Sequence, residues 1–495
     1  MKVVLINPKS SVFTLSRAIP LGLCYLASIS EKIAQETIII DAMQQKIKST
    51  EEIISDIFQK YPSDTKIVFG FSLHNWNLES FEIMINALRT NYKNALFIVG
   101  GTFISSNKNI KDEKLLKNID IAILGAGEIP FEMILKRYGE NINNFNDIPN
   151  ILINRNNEFI QNPINEAVLI NHTEILPKRV ENVAYLYGNS ELSILTSRGC
   201  PGRCSYCIIS GLYNGKWIAR KTDDIIQEAK LAQNEQTYTV GFFVDDCFLV
   251  NKFRAIEIAR RWKNEIGIPF YFAARVCDVL KFTKSELEFL HECGCFRIEI
   301  GFENFSDGVL TRYKKGVTSK QNRDAIALVK SAKIDIKADI IMWDYDTTIE
   351  EIQINLLALE ENRIFCTHHL LQKLIPIQGT EIRDSYAKQN ILFRENGIED
   401  YGFKNSDVKK IYEGILLYKQ KFYEKILFLE NLIRIKKSKT IDSTKIVWYT
   451  LKIEELHHFS YCFAMELLKN PKLNNLQKLI ESTEVKIKKF EGEIK

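Results

Sequence analysis

Short runs rich in Val, Ile, Leu and Phe recur along the first three-quarters of the chain, and stretches with helical periodicity lie between them. Runs of this kind are buried on both faces, which in a soluble domain means a parallel sheet covered by helices. In residues 1–138 the runs are VVLIN, TIIID, IVFGFS, LFIVGG and IAILGAG, with amphipathic stretches such as Glu51 to Lys60 and Leu78 to Tyr92 between them. They predict a doubly wound parallel sheet whose ligands bind beyond the carboxyl ends of the strands. Residues 139–190 lose the period and read as a loop and a hairpin linking two domains. A second series, SILTS, VGFFV, FYFAA, RIEIGF, IKADIIMW and HLLQKLI, occupies 191–385 at about the spacing of one βαβ crossover, roughly 30 to 40 residues. Six such units predict a partial barrel with its mouth at the strand C-termini. Capping boxes are expected at Thr283 with Glu286 and at Thr347 with Glu350. Residues 386–495 read as helical.

A chain of 495 residues divides into several domains. With 66 basic and 62 acidic residues the net charge is only +4, which gives no basic face for nucleic acid. No apolar stretch reaches the ~20 residues of a membrane span, and no leader is evident, so a cytoplasmic protein is expected. In that compartment, metal or catalytic roles for the ten cysteines outrank disulfides.

Three of the ten stand together. TSRGCPGRCSYC places Cys200, Cys204 and Cys207 at Cys-x3-Cys-x2-Cys spacing just after the first barrel strand. Thiolates are the ligands of iron–sulfur clusters. Three thiolates on a four-iron cluster leave one iron open to a small molecule. Structural zinc takes four protein ligands, and no fourth Cys or His follows at matching spacing. Core packing fails as an explanation, because Arg203, Ser205 and two glycines interleave the sulfurs.

Charged residues also recur where the barrel strands end: Asp245 and Asp246, Arg275, Glu303, then Trp343-Asp344. After buried runs such as GFFV, they predict a polar mouth in register with the cysteine loop.

A Cys-x3-Cys-x-Tyr-Cys loop ending the first strand of a partial barrel resembles the radical S-adenosylmethionine (SAM) superfamily. The resemblance implies a [4Fe–4S] cluster on Cys200, Cys204 and Cys207, and a SAM site near Tyr206, Asp245, Asp246, Arg275 and Glu303. FFVDDCF, ARVCDVL and IGFENFSDGVL, with Lys315 and Gly316, carry it through the barrel, and IPIQGTEI resembles its last turn. Asn304 and WDYDTT depart from the usual pattern. The first domain, through PLGLCYLAS, FGFSLHNWN, IVGGT and GAGEIPFEMIL, resembles the cobalamin-binding domain joined to such barrels. That implies cobalamin contacts from Ser72, Leu73, His74, Asn75, Trp76, Gly100, Gly101, Thr102, Gly125, Gly127 and Glu128. No Asp-x-His-x-x-Gly motif supplies a lower axial ligand. His74 could ligate cobalt, but packing or hydrogen bonding is the expectation. Trp76 either covers the ring or belongs to the core.

The fold expected is therefore α/β: a Rossmann-like cobalamin-binding domain (1–138), a linker with hairpin (139–190), a partial (β/α)6 TIM-type radical SAM barrel (191–385) and a helical C-terminal domain (386–495). The activity implied is methylation of an unactivated carbon of a peptide or natural-product intermediate through the 5′-deoxyadenosyl radical and methylcobalamin. An external donor of flavodoxin or ferredoxin type would supply electrons. Cobalamin-linked rearrangement or cyclisation is the enzymatic alternative, and an iron–sulfur or cobalamin carrier or sensor is the non-catalytic one. A methylthiotransferase is disfavoured, because only Cys24 precedes residue 200.

Overall fold

The computed structural model describes every residue except 11–18, 44–47, 108–109, 111–115, 170–174, 180–184, 187–188, 396–397, 439, 441, 471–472 and 495. The five N-terminal apolar runs become strands β1 (Lys2–Asn7), β2 (Glu36–Asp41), β3 (Ile67–Ser72), β4 (Leu96–Gly100) and β5 (Ile121–Ile123). They pair in parallel in the order β2-β1-β3-β4-β5, so the winding reverses between β1 and β3. A crevice opens at such a switch point, and ligands use it. Both faces of the sheet are dry. Val4, Ile6, Phe69 and Phe97 pack beneath one helix layer, and Val3, Leu5, Val68 and Ile98 beneath the other.

The hairpin expected to link the domains instead extends this sheet. Strands β6 (Ile151–Arg155) and β7 (Glu158–Gln161) add antiparallel to β5. Asn156 and Asn157, at φ 56° and 70°, make the tight turn, and Ile151 and Leu152 bury on the β5 edge.

The second sheet has the order β15-β14-β13-β12-β9-β8. Its members are β8 (Tyr185–Leu186), β9 (Asn189–Ile194), β12 (Val240–Phe243), β13 (Phe270–Arg275), β14 (Cys295–Glu303) and β15 (Asp335–Ile340). All but β8 are parallel. Outside the sheet, β10 (Ser197–Gly199) and β11 (Trp217–Ala219) form a small antiparallel ribbon flanking the cysteine loop. The sixth expected strand is absent. HLLQKLI is a 3-10 turn, Thr367–Leu371, followed by a single bridge from Trp343 to Lys373. His369 causes the break: its Nδ1 accepts from the Cys366 N–H at 3.1 Å while its Nε2 donates to the Ala338 carbonyl at 2.9 Å, which fixes a turn in place of a ladder.

Thr283 and Glu286 form the expected capping box. The other lies one residue on, at Thr348 with Glu351, because Thr347 is taken up by Asp344. The helices after Ser406 bury Ile411, Ile415, Leu456 and Phe463 in the same apolar core as the barrel helices. Among the described residues no helix is long and apolar enough to cross a membrane.

Candidate active site

Cys200, Cys204 and Cys207 are half-buried on the loop that leaves β10. Gly199 starts it at φ 83°, and a Cβ there would lie 2.3 Å from the Lys216 carbonyl, so only glycine lets the ribbon close on the loop. The Gly202 N–H points at the Cys200 sulfur at 3.3 Å. Beyond Cys207 the chain enters the helix Ile208–Tyr213, and backbone N–H groups of Ile209 and Ser210 meet the Cys207 sulfur. Burial pushes the Cys207 thiol up to about 11 and raises Cys204 as well. Cys200 moves the other way, lowered chiefly by its neighbour Cys247.

Among the described residues no group of three His, Cys, Asp or Glu side chains is gathered as one metal ion requires. A [4Fe–4S] cluster needs no such gathering, since each thiolate binds a different iron. Three thiols on one loop, with N–H donors aimed at two sulfurs and no fourth protein ligand on that loop, fit the cluster.

The strand-end residues divide into struts and wall. Asp245 is fully occupied. It accepts from the Thr196 N–H at 2.6 Å and hydroxyl at 2.5 Å, and from the Ser197 hydroxyl, so it secures the start of the ribbon. Asp344, also expected at the mouth, is sealed among Arg312, Tyr313 and Thr347. Asp246 accepts from the Gly199 N–H at 3.0 Å and stays open to solvent in a concave setting, where desolvation pushes its carboxyl to about 6. Arg275 chelates Asp278 at 2.7 and 3.0 Å and lies against Gly202 of the loop. Glu303 holds a positive φ of 64°, a costly backbone state for a residue with a side chain. It binds Lys315 at 2.9 Å, and the Lys315 amine also reaches the Tyr206 hydroxyl at 3.3 Å. Tyr206, Lys315 and Glu303 thus form one buried polar group beside Cys204.

Sequence reasoning missed the inner face of β14 and β15. Facing positions there carry ion pairs, Arg297 with Asp335 at 2.7 Å and Glu299 with Lys337 at 3.0 Å. At the next facing position Asp339 stands opposite Gly301, so the ladder gives it no partner. No hydrogen bond or ion pair reaches it among the described residues, and desolvation pushes its carboxyl to about 6. The alternation of charge along IEIGFE and IKADI was the available signal.

A cavity of about 730 Å³ lies at the β1/β3 switch point. Its floor includes Ser72, Gly100, Gly101, Thr102, Gly125 and Gly127, and His74, Trp76 and Glu128 line it too. Leu73 and Asn75 do not. Leu73 is fully buried with its N–H on the Gly100 carbonyl, and Asn75 faces a separate small cleft beside Leu78. Gly101, at φ 101°, would put a Cβ 2.5 Å from the Leu73 carbonyl, so this bend requires glycine. His74 stacks on Trp76 at 4.8 Å, and its ring nitrogens meet the hydroxyls of Thr102 at 2.8 Å and Ser72 at 3.3 Å. Desolvation pulls its pKa down to about 4. The wall also contains Asn7, Met43, Arg198 and Tyr213, which the sequence did not mark as site residues. Arg198 precedes Cys200 by two positions and Tyr213 ends the helix after Cys207, so the cysteine loop's own flanks close the cavity of the first domain. A large glycine-floored cavity with few polar groups suits a bulky, mostly apolar cofactor.

Residues 194–355 match the Radical SAM superfamily. An uncharacterized methyltransferase of Pyrococcus horikoshii is 23% identical over 80% of this chain and 85% of its own length. Cytidylyl-2-hydroxyethylphosphonate methyltransferase of Streptomyces wedmorensis is 20% identical over 83% of this chain and 87% of its own. In fold, the chain is similar to the cobalamin-dependent S-adenosylmethionine radical enzyme OxsB, solved with aqua-cobalamin and S-adenosylmethionine bound. That match has TM-score 0.70 at 16% identity and covers 98% of this chain and 75% of OxsB. The radical S-adenosylmethionine methyltransferase TsrM from Kitasatospora setae gives 0.62 at 16% identity, covering 79% of this chain and 77% of TsrM. Residues 194–355 thus form a domain that matches the Radical SAM superfamily, and the chain carries it on a fold similar to that of OxsB and TsrM.

Proposed function

We propose that this protein is a cobalamin-dependent radical SAM methyltransferase that methylates an unactivated carbon of a small molecule or peptide. The observation that carries the reading is the shared wall: Arg198 and Tyr213, on the two sides of the cysteine loop, line the cavity of the first domain. A cofactor in that cavity and a cluster on that loop would be neighbours. The Pyrococcus and Streptomyces relatives are both named methyltransferases.

When bound, the cluster supplies one electron to SAM, and cobalamin supplies a transferable methyl group. The chain's own residues have positional tasks. Cys200, Cys204 and Cys207 would hold the cluster, and the N–H groups of Gly202, Ile209 and Ser210 orient two of the sulfurs. Tyr206, Lys315 and Glu303 offer a fixed cation and a carboxylate to SAM beside Cys204, with Asp246 and Arg275 across the mouth. Asp339, unpaired on the inner face, is the group free to accept a hydrogen bond from substrate. Ser72, Thr102 and the glycine bends would cradle cobalamin, and Leu212 and Tyr213 exclude water from its barrel side. Holding the reacting groups in this order is where such a site gains its rate.

Anaerobic incubation with SAM, cobalamin, a reductant and candidate substrates tests the reading. The expected outcome is equal release of S-adenosylhomocysteine and 5′-deoxyadenosine, with one added methyl per product. A true substrate that yields 5′-deoxyadenosine with neither S-adenosylhomocysteine nor mass gain would reject methyl transfer.

A further inference from the structure

The turn at Gln378 and Gly379, within the segment IPIQGTEI, lies where three elements meet. On the barrel side it is anchored. The Thr380 N–H and hydroxyl both donate to the Ile377 carbonyl, at 3.2 and 2.7 Å, and Thr380 caps the helix Glu381–Lys388 by accepting from the Arg383 N–H. One turn into that helix, the Ile382 N–H donates at 2.9 Å to the carbonyl of Ser205, which belongs to the cysteine loop. The Ile382 side chain is buried with Val309 and Tyr313. The turn is therefore fixed to the cysteine loop.

On its other side the turn meets the first domain at Gly379. The backbone there is left-handed, at φ 86°, and a Cβ would overlap the Ser106 carbonyl oxygen and lie 2.9 Å from the Ser106 Cβ. Ser106 ends the helix Thr102–Ser106, where its hydroxyl donates to the Thr102 carbonyl at 2.7 Å. The neighbouring Ser105 hydroxyl accepts from the Gly125 N–H at 2.8 Å. Thr102, Ser105 and Gly125 all line the large cavity. The third element is the helix Ile208–Tyr213, which follows Cys207. Gly211 faces the turn: a Cβ there would come within 3.3 Å of the Gly379 carbonyl and meet nothing else. Glycine inside a helix costs roughly 0.5–1 kcal/mol against alanine, so this close approach stands against local helix preference. Gly211 lines the cavity as well. Backbones packed this closely yield little, because protein interiors have the density of organic crystals.

We propose that Gly379 is a positioning residue for methyl transfer: lacking a side chain, it lets the last turn of the barrel close on Ser106 and Gly211, and so sets the separation between the cofactor cavity and the cysteine loop. The proposal rests on the reading of these two places as the cobalamin and cluster sites. One added methyl group at 379 presses on Ser106, and through it on the helix that carries Thr102, while Ser205 holds the turn to the cysteine loop. The strain falls on the contact between the domains.

The test is EPR of the full-length, anaerobically reconstituted protein loaded with cob(II)alamin. Wild type, Gly379→Ala, Gly211→Ala and Gly267→Ala are compared, with iron and cobalamin content measured for each. Gly267 controls for backbone strain, being at φ 77° with nothing near its Cβ. Magnetic coupling falls steeply with distance, so the faster relaxation of cob(II)alamin beside a reduced cluster reads the spacing. The expected result is full iron and bound cobalamin in all four proteins. The wild-type relaxation enhancement is partly lost in Gly379→Ala, lost to a smaller degree in Gly211→Ala, and intact in Gly267→Ala. Wild-type enhancement in Gly379→Ala, or equal losses in Gly379→Ala and Gly267→Ala, would overturn the assignment. If Gly379→Ala does not load, Gly211→Ala decides, and wild-type enhancement there would overturn it. Failure of both to load while Gly267→Ala loads would overturn it too, by making the turn a folding element and not a spacer. Wild type that shows no enhancement, or takes up no iron or no cobalamin, would instead refute the reading of neighbouring cluster and cobalamin sites beneath it.

Discussion

Arg198, two residues before the first loop cysteine, forms a buried ion pair with Glu128, the first residue of the helix Glu128–Gly139 in the other domain. Both side chains are nearly shut off from solvent, at 12% and 7% exposure. The pair therefore ties the cavity of the first domain to the loop of the second. Glu128 lines that cavity with its charge already balanced by Arg198.

Breaking a buried pair leaves one charge uncompensated, which costs about 3–5 kcal/mol. Arg198→Ala and Glu128→Gln should each lower the unfolding free energy, measured by urea titration, by an amount in that range. The double substitution should cost less than the sum of the two. Cobalamin affinity, measured by equilibrium dialysis, should fall with either one.

Gly199→Ala tests the entry to the loop. The backbone there is left-handed, and an added Cβ meets the Lys216 carbonyl at 2.3 Å. Strain of roughly 1–3 kcal/mol should move the ribbon and Cys200 with it. Iron per chain after reconstitution should drop, whereas Gly267→Ala, also at positive φ but with nothing near its Cβ, should keep full iron.

Two kinds of group give opposite pH dependence. His74 and His369 have folded pKa values near 4 against an ordinary 6.5, because burial opposes their charge. The unfolded chain binds their protons first, so the stability they contribute is present above pH 6.5 and lost as pH falls toward 4. Asp339 has the reverse shift, to about 6, again through desolvation. The folded state binds its proton more tightly, so stability falls as pH rises from about 4 to about 6 and stays lowered above that. Asp339→Asn should therefore raise the melting temperature at pH 8, with the gain fading toward pH 4, and His369→Gln should flatten the loss below pH 6.5. If Asp339 serves substrate, the stabilised Asp339→Asn protein should keep its SAM affinity and lose product formation.

His74 offers a fourth check. With both ring nitrogens engaged by Thr102 and Ser72, the ring is held as a wall residue. His74→Ala should leave the absorption spectrum of bound cobalamin in its base-off form. A change in that spectrum would make His74 a cobalt ligand.

Much of this was legible in the sequence. β1 to β5 follow from Val/Ile-rich runs, because a strand covered on both faces has no alternative composition. The cysteine loop was legible because three ligands on one short segment need no tertiary information. What failed depended on distant partners. The β6–β7 hairpin reads the same whether it links domains or extends a sheet, and the β5 edge decides. HLLQKLI has the composition of a strand, but His369 bonds the Ala338 carbonyl and Cys366 N–H and turns the chain. Asp245 and Asp339 look alike in sequence, yet one braces Thr196 and Ser197 while the other stands opposite Gly301 without a partner. The ion pair of Arg198 with Glu128 joins segments 70 residues apart, and nothing local announces it.

The central claim is that one chain holds a cluster and cobalamin as neighbours across the wall made by Arg198 and Tyr213. EPR of the anaerobically reconstituted, cobalamin-loaded protein tests this most directly. The account predicts that the cob(II)alamin signal relaxes faster when the cluster is reduced than when it is oxidised, and that this difference vanishes in Cys200→Ala. A cob(II)alamin signal indifferent to the redox state of the cluster, or a cluster-loaded protein that retains no cobalamin, would contradict it.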